Sequence, residues 1–196
     1  AYAIGASTAT YLINQISGQE KLGIKTDKNI VIEGFLDVFK DGSKIKSDEV
    51  TKLLNDRAAK LNKAVDTIAK AEVDKNLEAG KEFMAKNAKN PNVKTTKSGV
   101  QYEILKSAKG DKPKPESIVV LNYKAYLLDG TVFDDTSLAK MPAHLSMINL
   151  IDGLQEGLLM MDTGSKYKFV IPSDLAYGNE GMDKIPGGST VVFEAE

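Results

Sequence analysis

The chain has 196 residues, of which 42% are hydrophobic and 27% charged, and its net charge is −1. Without cysteine it can form no disulfide, thiol nucleophile or thiolate metal site, and its single histidine, His144, argues against most metal centres and Ser-His-Asp triads. The basic residues are too dispersed to predict a nucleic-acid partner, and no apolar stretch is long enough to predict a membrane span.

Proline divides the chain. Residues 1–90 contain none, whereas residues 91–196 contain all six. This composition shift predicts a boundary near Asn90-Pro91. The chain starts at Ala1 without a methionine or a signal peptide and stops at Glu196 inside a predicted strand, so both ends are expected to have been cut.

Two helices are predicted before residue 46. The first covers Ala3–Ile16 and is expected to end at Gly18. Asp27 can cap the second, Lys28–Phe39, whose apolar side chains go nearly all the way round. A helix this apolar must be buried on several sides, and two short helices offer little cover. We expect a second copy of the chain to supply the remainder.

A third, much longer helix is predicted from Ser47 to about residue 88, roughly 60 Å at 1.5 Å per residue. Its first half carries an apolar stripe at spacings of three and four: Val50, Leu54, Ala58, Leu61, Val65 and Ile68. The stripe then thins, so the second half is expected to be mostly solvated. Such a helix could lie on the surface of one compact domain or bridge two bodies, and the second interpretation is preferred.

Beyond Pro91 the apolar period changes from 3.6 to 2, which predicts strands. Asp129-Gly130 forms the turn of a predicted hairpin over residues 119–133. The other predicted elements are strands at 100–105, 166–171 and 190–193, a short helix at 149–160, a short helical turn at 174–177 and a glycine-rich loop at 178–189. Four to six antiparallel strands and one short helix indicate an α+β unit of about 100 residues.

The most suggestive chemistry follows the hairpin turn, where Phe133 precedes Asp134 and Asp135. Adjacent strand residues point to opposite faces, so the two carboxylates are not expected to share a proton. Asp135 is interpreted as a solvated turn residue. Asp134, if it points inward, needs a partner such as a tyrosine hydroxyl. The residues alone predict an aromatic-lined pocket with no nucleophile, metal, nucleotide loop or general base.

A pocket without acid–base groups still suits one reaction, rotation about a bond. Peptide rotation has a barrier of about 18–20 kcal/mol because of amide resonance. The cis and trans forms of an X-Pro bond are close in energy but exchange slowly. A dry apolar pocket can lower the barrier by disfavouring the polar, planar amide.

Three segments resemble FKBP-type peptidyl-prolyl isomerases. They are VVLNYKAYLLDGTVFDDT with its tyrosine, DG turn and FD pair, LIDGLQEGLLMMDTGSKYKFVIPSDLAYG with its I-x-G-x-x-E-G, G-S-x-x-x-F-x-I-P and L-A-Y-G elements, and IPGGSTVVFEAE. The N-terminal part is similar to the periplasmic FkpA/Mip type, in which a helical region dimerises and a long helix carries the isomerase domain. The resemblance covers nearly the whole chain.

The resemblance implies a fold and a domain organisation. The fold is α+β, with an all-α dimerisation module, a long connecting helix and an FKBP-like antiparallel sheet wrapped on a short helix. The corresponding ranges are 1–46 for the dimerisation module, 47–90 for the linker helix and 91–196 for the isomerase domain. It also implies a homodimer, a periplasmic location and no cofactor or metal.

The resemblance further implies site residues. Tyr123, Asp134 and Tyr177 would be catalytic, with Asp134 paired to Tyr123 and facing the twisting amide. The Tyr177 hydroxyl and the Ile151 N–H would meet ligand carbonyls, and Leu154 would form the pocket floor. The substrate-binding set is Phe133, Leu150, Ile151, Leu154, Ile185 and Phe193.

Three departures from the family pattern matter. Leu154 occupies a position that usually holds tryptophan, Ala143 and Leu145 fill a segment that commonly carries a pocket aromatic, and the NEGMDK loop is more charged than usual. We therefore expect a shallower pocket, weaker binding of macrolide inhibitors and lower turnover. The expected function is isomerisation of X-Pro bonds in unfolded or refolding proteins, with chaperone activity. The alternative is mainly a dimeric holdase chaperone with weak or vestigial isomerase activity.

Overall fold

The structure is a computed structural model that describes residues 1–196, apart from the side chain of Ala139. The α-helices are α1 (Tyr2–Lys21), α2 (Lys28–Lys40), α3 (Ser47–Asn87), α4 (Thr136–Ala139) and α5 (Asp152–Leu159). The strands are β1 (Val93–Thr95), β2 (Gln101–Lys106), β3 (Ile118–Leu121), β4 (Tyr123–Leu127), β5 (Val132–Asp135), β6 (Ala143–Ser146), β7 (Lys166–Ile171) and β8 (Val191–Ala195).

The chain divides into two compact units, Ala1–Ala69 and Lys70–Glu196, and the division falls inside α3. None of the helices in the described part of the chain combines the length and the apolar character needed to cross a membrane.

In the first unit, α1 is longer than predicted. It passes through Gly18, where it was expected to end, and stops after Lys21. Gly23, at φ 81°, and Ile24 donate their N–H groups to the carbonyls of Glu20 and Gln19, which closes the helix in the left-handed manner that glycine favours. Gly18 has ordinary helical neighbours and costs only about 1 kcal/mol there.

The start of α2 is as predicted. Asp27 precedes the helix and its carboxylate accepts the N–H of Asn29 at 2.8 Å. The chain's one arginine, Arg57, ties α3 to the other helices of this unit by donating to the side chains of Gln19 and Thr26. These hydrogen bonds hold α3 to α1 and to the segment before α2, in a unit whose helices share only a small apolar core.

Apolar side chains of the first unit are largely exposed. Ile16 is its one buried hydrophobic residue among those described, whereas Phe39 is 79% and Ile30 67% exposed. Between α1 and α2 lies a groove of about 420 Å³ in which Lys28 is the one charged residue. Its lining is Gly5, Ala9, Leu12, Ile13, Ile16, Lys28, Val31, Ile32, Phe35 and Leu36. This unit does not bury its own apolar surface.

The second unit is built on a six-stranded antiparallel sheet in the order β1-β2-β7-β8-β4-β5. Helix α5 packs on β7 through two glycines one turn apart. A Cβ on Gly157 would lie 2.6 Å from a ring carbon of Phe169, and one on Gly153 would overlap Ile171. The fully buried Phe169 fills the space that the helix leaves open.

Eight strands replace the four to six expected. The short β1 was not predicted, and β3 pairs with β6 in a separate two-stranded sheet. The predicted first hairpin strand is therefore two strands, interrupted at Asn122, whose N–H and C=O both bond to Glu196. Local alternation is the same in both strands, so it could not show that they have different partners.

The second half of α3 was expected to be mostly solvated, and most of its residues are exposed, but one face of it packs against the rest of the second unit. Gly80 is buried and the side chains of Val73, Asn76, Phe83 and Met84 are half-buried against the rest of the second unit. The buried Gln101 donates to the carbonyl of Met84 and accepts from Asn87. Because Gly187 and Gly188 lie on the opposing surface, this mostly polar half of the helix can pack closely with few large apolar side chains.

Candidate functional site

Four aromatic rings meet on the core face of the sheet. The ring centroid of Phe193 on β8 lies 6.0 Å from that of Tyr123 and 6.0 Å from that of Phe133. Tyr177 stands edge-on to Phe133, with centroids 6.1 Å apart and planes at 88°. These separations suit favourable tilted and edge-to-face contacts. The cluster forms one apolar wall with two phenol hydroxyls on it.

A β-bulge aims the residues after the hairpin turn. Ala125 pairs with Asp134 and Tyr126 with Val132, so Phe133 is the extra residue on β5. A bulge breaks strict alternation and redirects side chains. Phe133 and Asp134 can consequently both reach the aromatic wall, which resolves the orientation of Asp134 that alternation left open.

The Tyr123 hydroxyl donates to a carboxylate oxygen of Asp134 at 2.5 Å. Burial and this carboxylate raise the pKa of Tyr123 well above its ordinary 10.0. Burial also raises the pKa of Tyr177, and the charge of Asp134 adds to the rise. Both phenols therefore keep their protons at neutral pH and can act as donors. Asp134 itself is exposed, so its carboxylate lies at the open rim of the wall.

Thr136 fixes the backbone of Tyr123, a contact that no pattern in the sequence predicted. Its hydroxyl accepts the Tyr123 N–H at 3.0 Å and lies 3.2 Å from the Tyr123 carbonyl. Asp135 caps α4 by accepting the N–H of Ser137 at 2.8 Å. Hydrogen bonding by the side chain and the backbone N–H of Ser137 lowers the pKa of Asp135. The two carboxylates have separate partners, as expected, but Asp135 is half-buried at the end of β5 and is not the solvated turn residue that was predicted.

The aliphatic members of the predicted set join the same core. Leu154 is 3% and Ile185 5% exposed, and both belong to the buried cluster that contains Phe193. Leu150 and Ile151 are partly buried against this cluster. Ile151 immediately precedes α5, and within the described residues its N–H donates to no protein acceptor. That group is available to a ligand carbonyl.

All nine predicted site residues therefore lie in or beside one aromatic and aliphatic cluster. Leu145, from the segment that departs from the family pattern, packs against this core on β6, while Ala143 is half-buried. His144 is exposed on the same strand. The cluster offers apolar contact, one free N–H and two phenols, and this combination suits binding and twisting of an amide.

Comparison with known proteins identifies the family. Residues 109–196 match the model of the "FKBP-type peptidyl-prolyl cis-trans isomerase" family, and residues 1–104 match that of the "domain amino terminal to FKBP-type peptidyl-prolyl isomerase". The chain belongs to the FKBP-type peptidyl-prolyl cis-trans isomerases. The resemblance that the sequence motifs suggested is thus confirmed, as is the α+β fold class.

Among relatives of this FKBP-type isomerase are the enzymes named FkpA. The chain is 38% identical to FkpA of Aeromonas hydrophila and 39% identical to FkpA of Escherichia coli K12, in each case over its whole length and 73% of the relative. The crystal structure of Escherichia coli FkpA superposes with a TM-score of 0.85 and 39% identity, covering 100% of this chain and 92% of that chain. A peptidyl-prolyl isomerase of Pseudomonas syringae matches 63% of this chain and 91% of its own, with a TM-score of 0.59 and 35% identity.

Proposed function

We propose that this isomerase accelerates X-Pro rotation in unfolded or refolding proteins by holding the bond in the apolar pocket, without covalent or acid–base chemistry. The hydrogen bond between Tyr123 and Asp134 beside the ring of Phe193 carries the proposal. It leaves Tyr123 protonated and presents a negative oxygen at the rim, close to the place where a twisting amide would sit.

The proposed mechanism assigns one role to each group of residues. Phe133, Leu154, Ile185 and Phe193 surround the proline ring and exclude water, while Leu150 widens the apolar surface. The Ile151 N–H and the Tyr177 hydroxyl donate to substrate carbonyls flanking the bond. Moving the amide into an apolar environment disfavours its planar, charge-separated resonance form, so the barrier to rotation falls. Because no proton is transferred, no general base is required.

A proline-limited refolding assay tests this function. The full chain at micromolar concentration should accelerate the slow refolding phase of a client whose rate is set by an X-Pro bond. A client without a slow proline phase serves as the control. Refolding at the uncatalysed rate would refute the proposal.

We further propose the domain organisation that the resemblance implies, with dimerisation through residues 1–46, a linker helix at 47–90 and the isomerase domain at 91–196. The exposed apolar side chains and the groove between α1 and α2 support a homodimer. Resemblance to the periplasmic type supports a periplasmic location. Leu154 in place of a larger aromatic supports weaker affinity for macrolide inhibitors.

The second candidate function, a holdase chaperone with secondary isomerase activity, rests on the same groove. Its apolar lining could bind unfolded segments, and two copies on one client would raise their effective concentration. The test is suppression of aggregation of a client whose folding does not depend on proline. Full-length chain that fails to suppress aggregation excludes this role and leaves the isomerase proposal intact.

A further inference from the structure

The second half of α3 contacts the loop that carries two of the proposed pocket residues. Val73, Asn76, Leu77 and Gly80 are spaced three and four apart and share one face of the helix. Opposite them lie Gly187, Gly188 and Thr190: a Cβ on Gly188 would be 2.7 Å from the Val73 carbonyl oxygen, and a Cβ on Gly80 would overlap the Thr190 hydroxyl. The close contact depends on glycines: Gly187 and Gly188 leave room for the side chains of Val73 and Leu77, and Gly80 leaves room for that of Thr190.

Asn76 adds a directed polar bond to this contact. Its side-chain amide donates to the carbonyl of Gly187 at 2.9 Å in a partly buried position. In such a place an unpaired carbonyl costs more than the same group in water. The bond therefore selects a loop conformation in which the Gly187 carbonyl points at the helix.

The same loop conformation determines the positions of two proposed pocket residues, Ile185 within the loop and Tyr177 directly before it. Gly188 donates its N–H to the carbonyl of Gly178 at 2.9 Å, next to Tyr177. Ile185, two residues before Gly187, exchanges backbone hydrogen bonds with Met182 at 2.8 and 2.9 Å. The loop also contains Gly178, Gly181 and Gly188 at positive φ, which makes it intrinsically permissive in conformation. An external anchor is what selects one conformation.

We propose that Asn76 is a positioning residue of the isomerase, because its amide anchors the loop at residues 178–188 and so holds Ile185 and Tyr177 against the proline. This inference rests on the proposed site. It makes α3 more than a connector, since residues 73–80 of the helix contact the loop that positions the proposed pocket residues.

The test uses the full chain with Asn76→Leu, which removes the donor, keeps a similar volume and favours the helix. Amide hydrogen exchange should accelerate roughly three- to tenfold at Met182, Ile185 and Gly188, the factor that matches loss of one buried hydrogen bond. Exchange in β7 should not change. On a short X-Pro peptide, kcat/KM should fall by a similar factor, chiefly through a higher KM.

Asn62→Leu is the matched control, because Asn62 is an exposed asparagine on the same helix. N76D is the second variant: it keeps the shape of the side chain but sets an acceptor against the Gly187 carbonyl, so it should show the same pattern even if N76L fails to fold. Loop exchange within twofold of the N62L control overturns the positioning role, as does faster exchange with unchanged KM. A wild-type chain without isomerase activity would instead refute the proposed function, because the exchange measurement does not depend on catalysis.

Discussion

The two units of the chain use apolar residues in opposite ways. Lys70–Glu196 buries a continuous cluster that includes Phe169, Ile171 and Val191 at 0% exposure. Among the described residues of Ala1–Ala69, only Ile16 is a buried hydrophobic residue, while the exposed rings of Phe35 and Phe39 lie 5.3 Å apart with their planes tilted by 32°. One unit is complete within a single chain, and the other presents a surface that association could complete.

The largest expected effect is on the packed core of the second unit. Phe169→Ala should lower the free energy of unfolding by about 3–5 kcal/mol, because it removes a fully buried ring against α5 and leaves a cavity. Phe39→Ala removes the same ring from a position that is 79% exposed. It should change the free energy of unfolding of the monomer by less than about 0.5 kcal/mol. Urea denaturation of both variants gives the comparison, and equal losses would contradict the division into a packed and an unpacked unit.

The proposed dimerisation depends on the first unit, Ala1–Ala69. Phe35→Glu places a charge on the apolar groove between α1 and α2, so it should shift the chain from dimer to monomer. Sedimentation at micromolar concentration measures this as a fall in mass towards 21.2 kDa. Asn14→Glu, at an exposed position of α1 outside the groove, should leave the mass unchanged. A variant of Phe35 that stays dimeric would exclude the groove as the interface.

In Lys70–Glu196, substitutions of the two adjacent aspartates should distinguish an effect on catalysis from an effect on local structure. Asp134→Asn weakens the acceptor of the Tyr123 hydroxyl, and kcat/KM should fall roughly tenfold, equivalent to about 1.4 kcal/mol of transition-state stabilisation. Asp135→Asn weakens the cap of α4 and should lower thermal stability slightly with unchanged kcat/KM. Equal losses of activity in the two variants would refute the assigned role of Asp134.

The smallest effect concerns pH. The raised pKa values of Tyr123 and Tyr177 mean that folding favours the protonated phenols. This contribution to stability is fully present below the ordinary tyrosine pKa of 10.0 and is lost as pH rises through the higher folded values. We expect kcat/KM to be constant from about pH 6 to 9. In a spectroscopic titration, the phenolate absorbance of Tyr123 and Tyr177 should appear only above pH 10, and Tyr123→Phe should remove one of these two groups. A rise in phenolate absorbance from Tyr123 near pH 10 would contradict the buried, bonded hydroxyl.

Sequence patterns predicted the three N-terminal helices well because their signals are local, whereas the four-residue α4 was not predicted. Asp27 at the start of α2 and the 3.6-residue stripe of α3 each depend on neighbours a few residues away. The prediction that α1 ends at Gly18 was wrong, because a glycine inside a helix destabilises it only modestly when the residues after it continue the helical pattern.

Pairing between distant segments was the part that the sequence could not provide. Nothing near Asn122 indicates that its backbone bonds to Glu196 or that β3 leaves the main sheet for β6. The bulge at Phe133 and the Thr136 bond to Tyr123 likewise depend on strand register. Phe133 and Asp134 were already conspicuous in the hairpin, but the full set of nine predicted site residues came from family resemblance, and only the folded chain shows them in or beside one cluster.

The most direct test of the account measures isomerase activity per chain across dissociation of the dimer. A dilution series from well above to well below the dissociation constant of the proposed dimer, with a short X-Pro peptide as substrate, separates the two copies without any substitution in the chain. We predict a constant kcat/KM per chain while the mass falls from about twice 21.2 kDa to that value, because the proposed pocket lies entirely within Lys70–Glu196 of one chain. Activity that falls in proportion to the dimer would contradict a self-contained proline site.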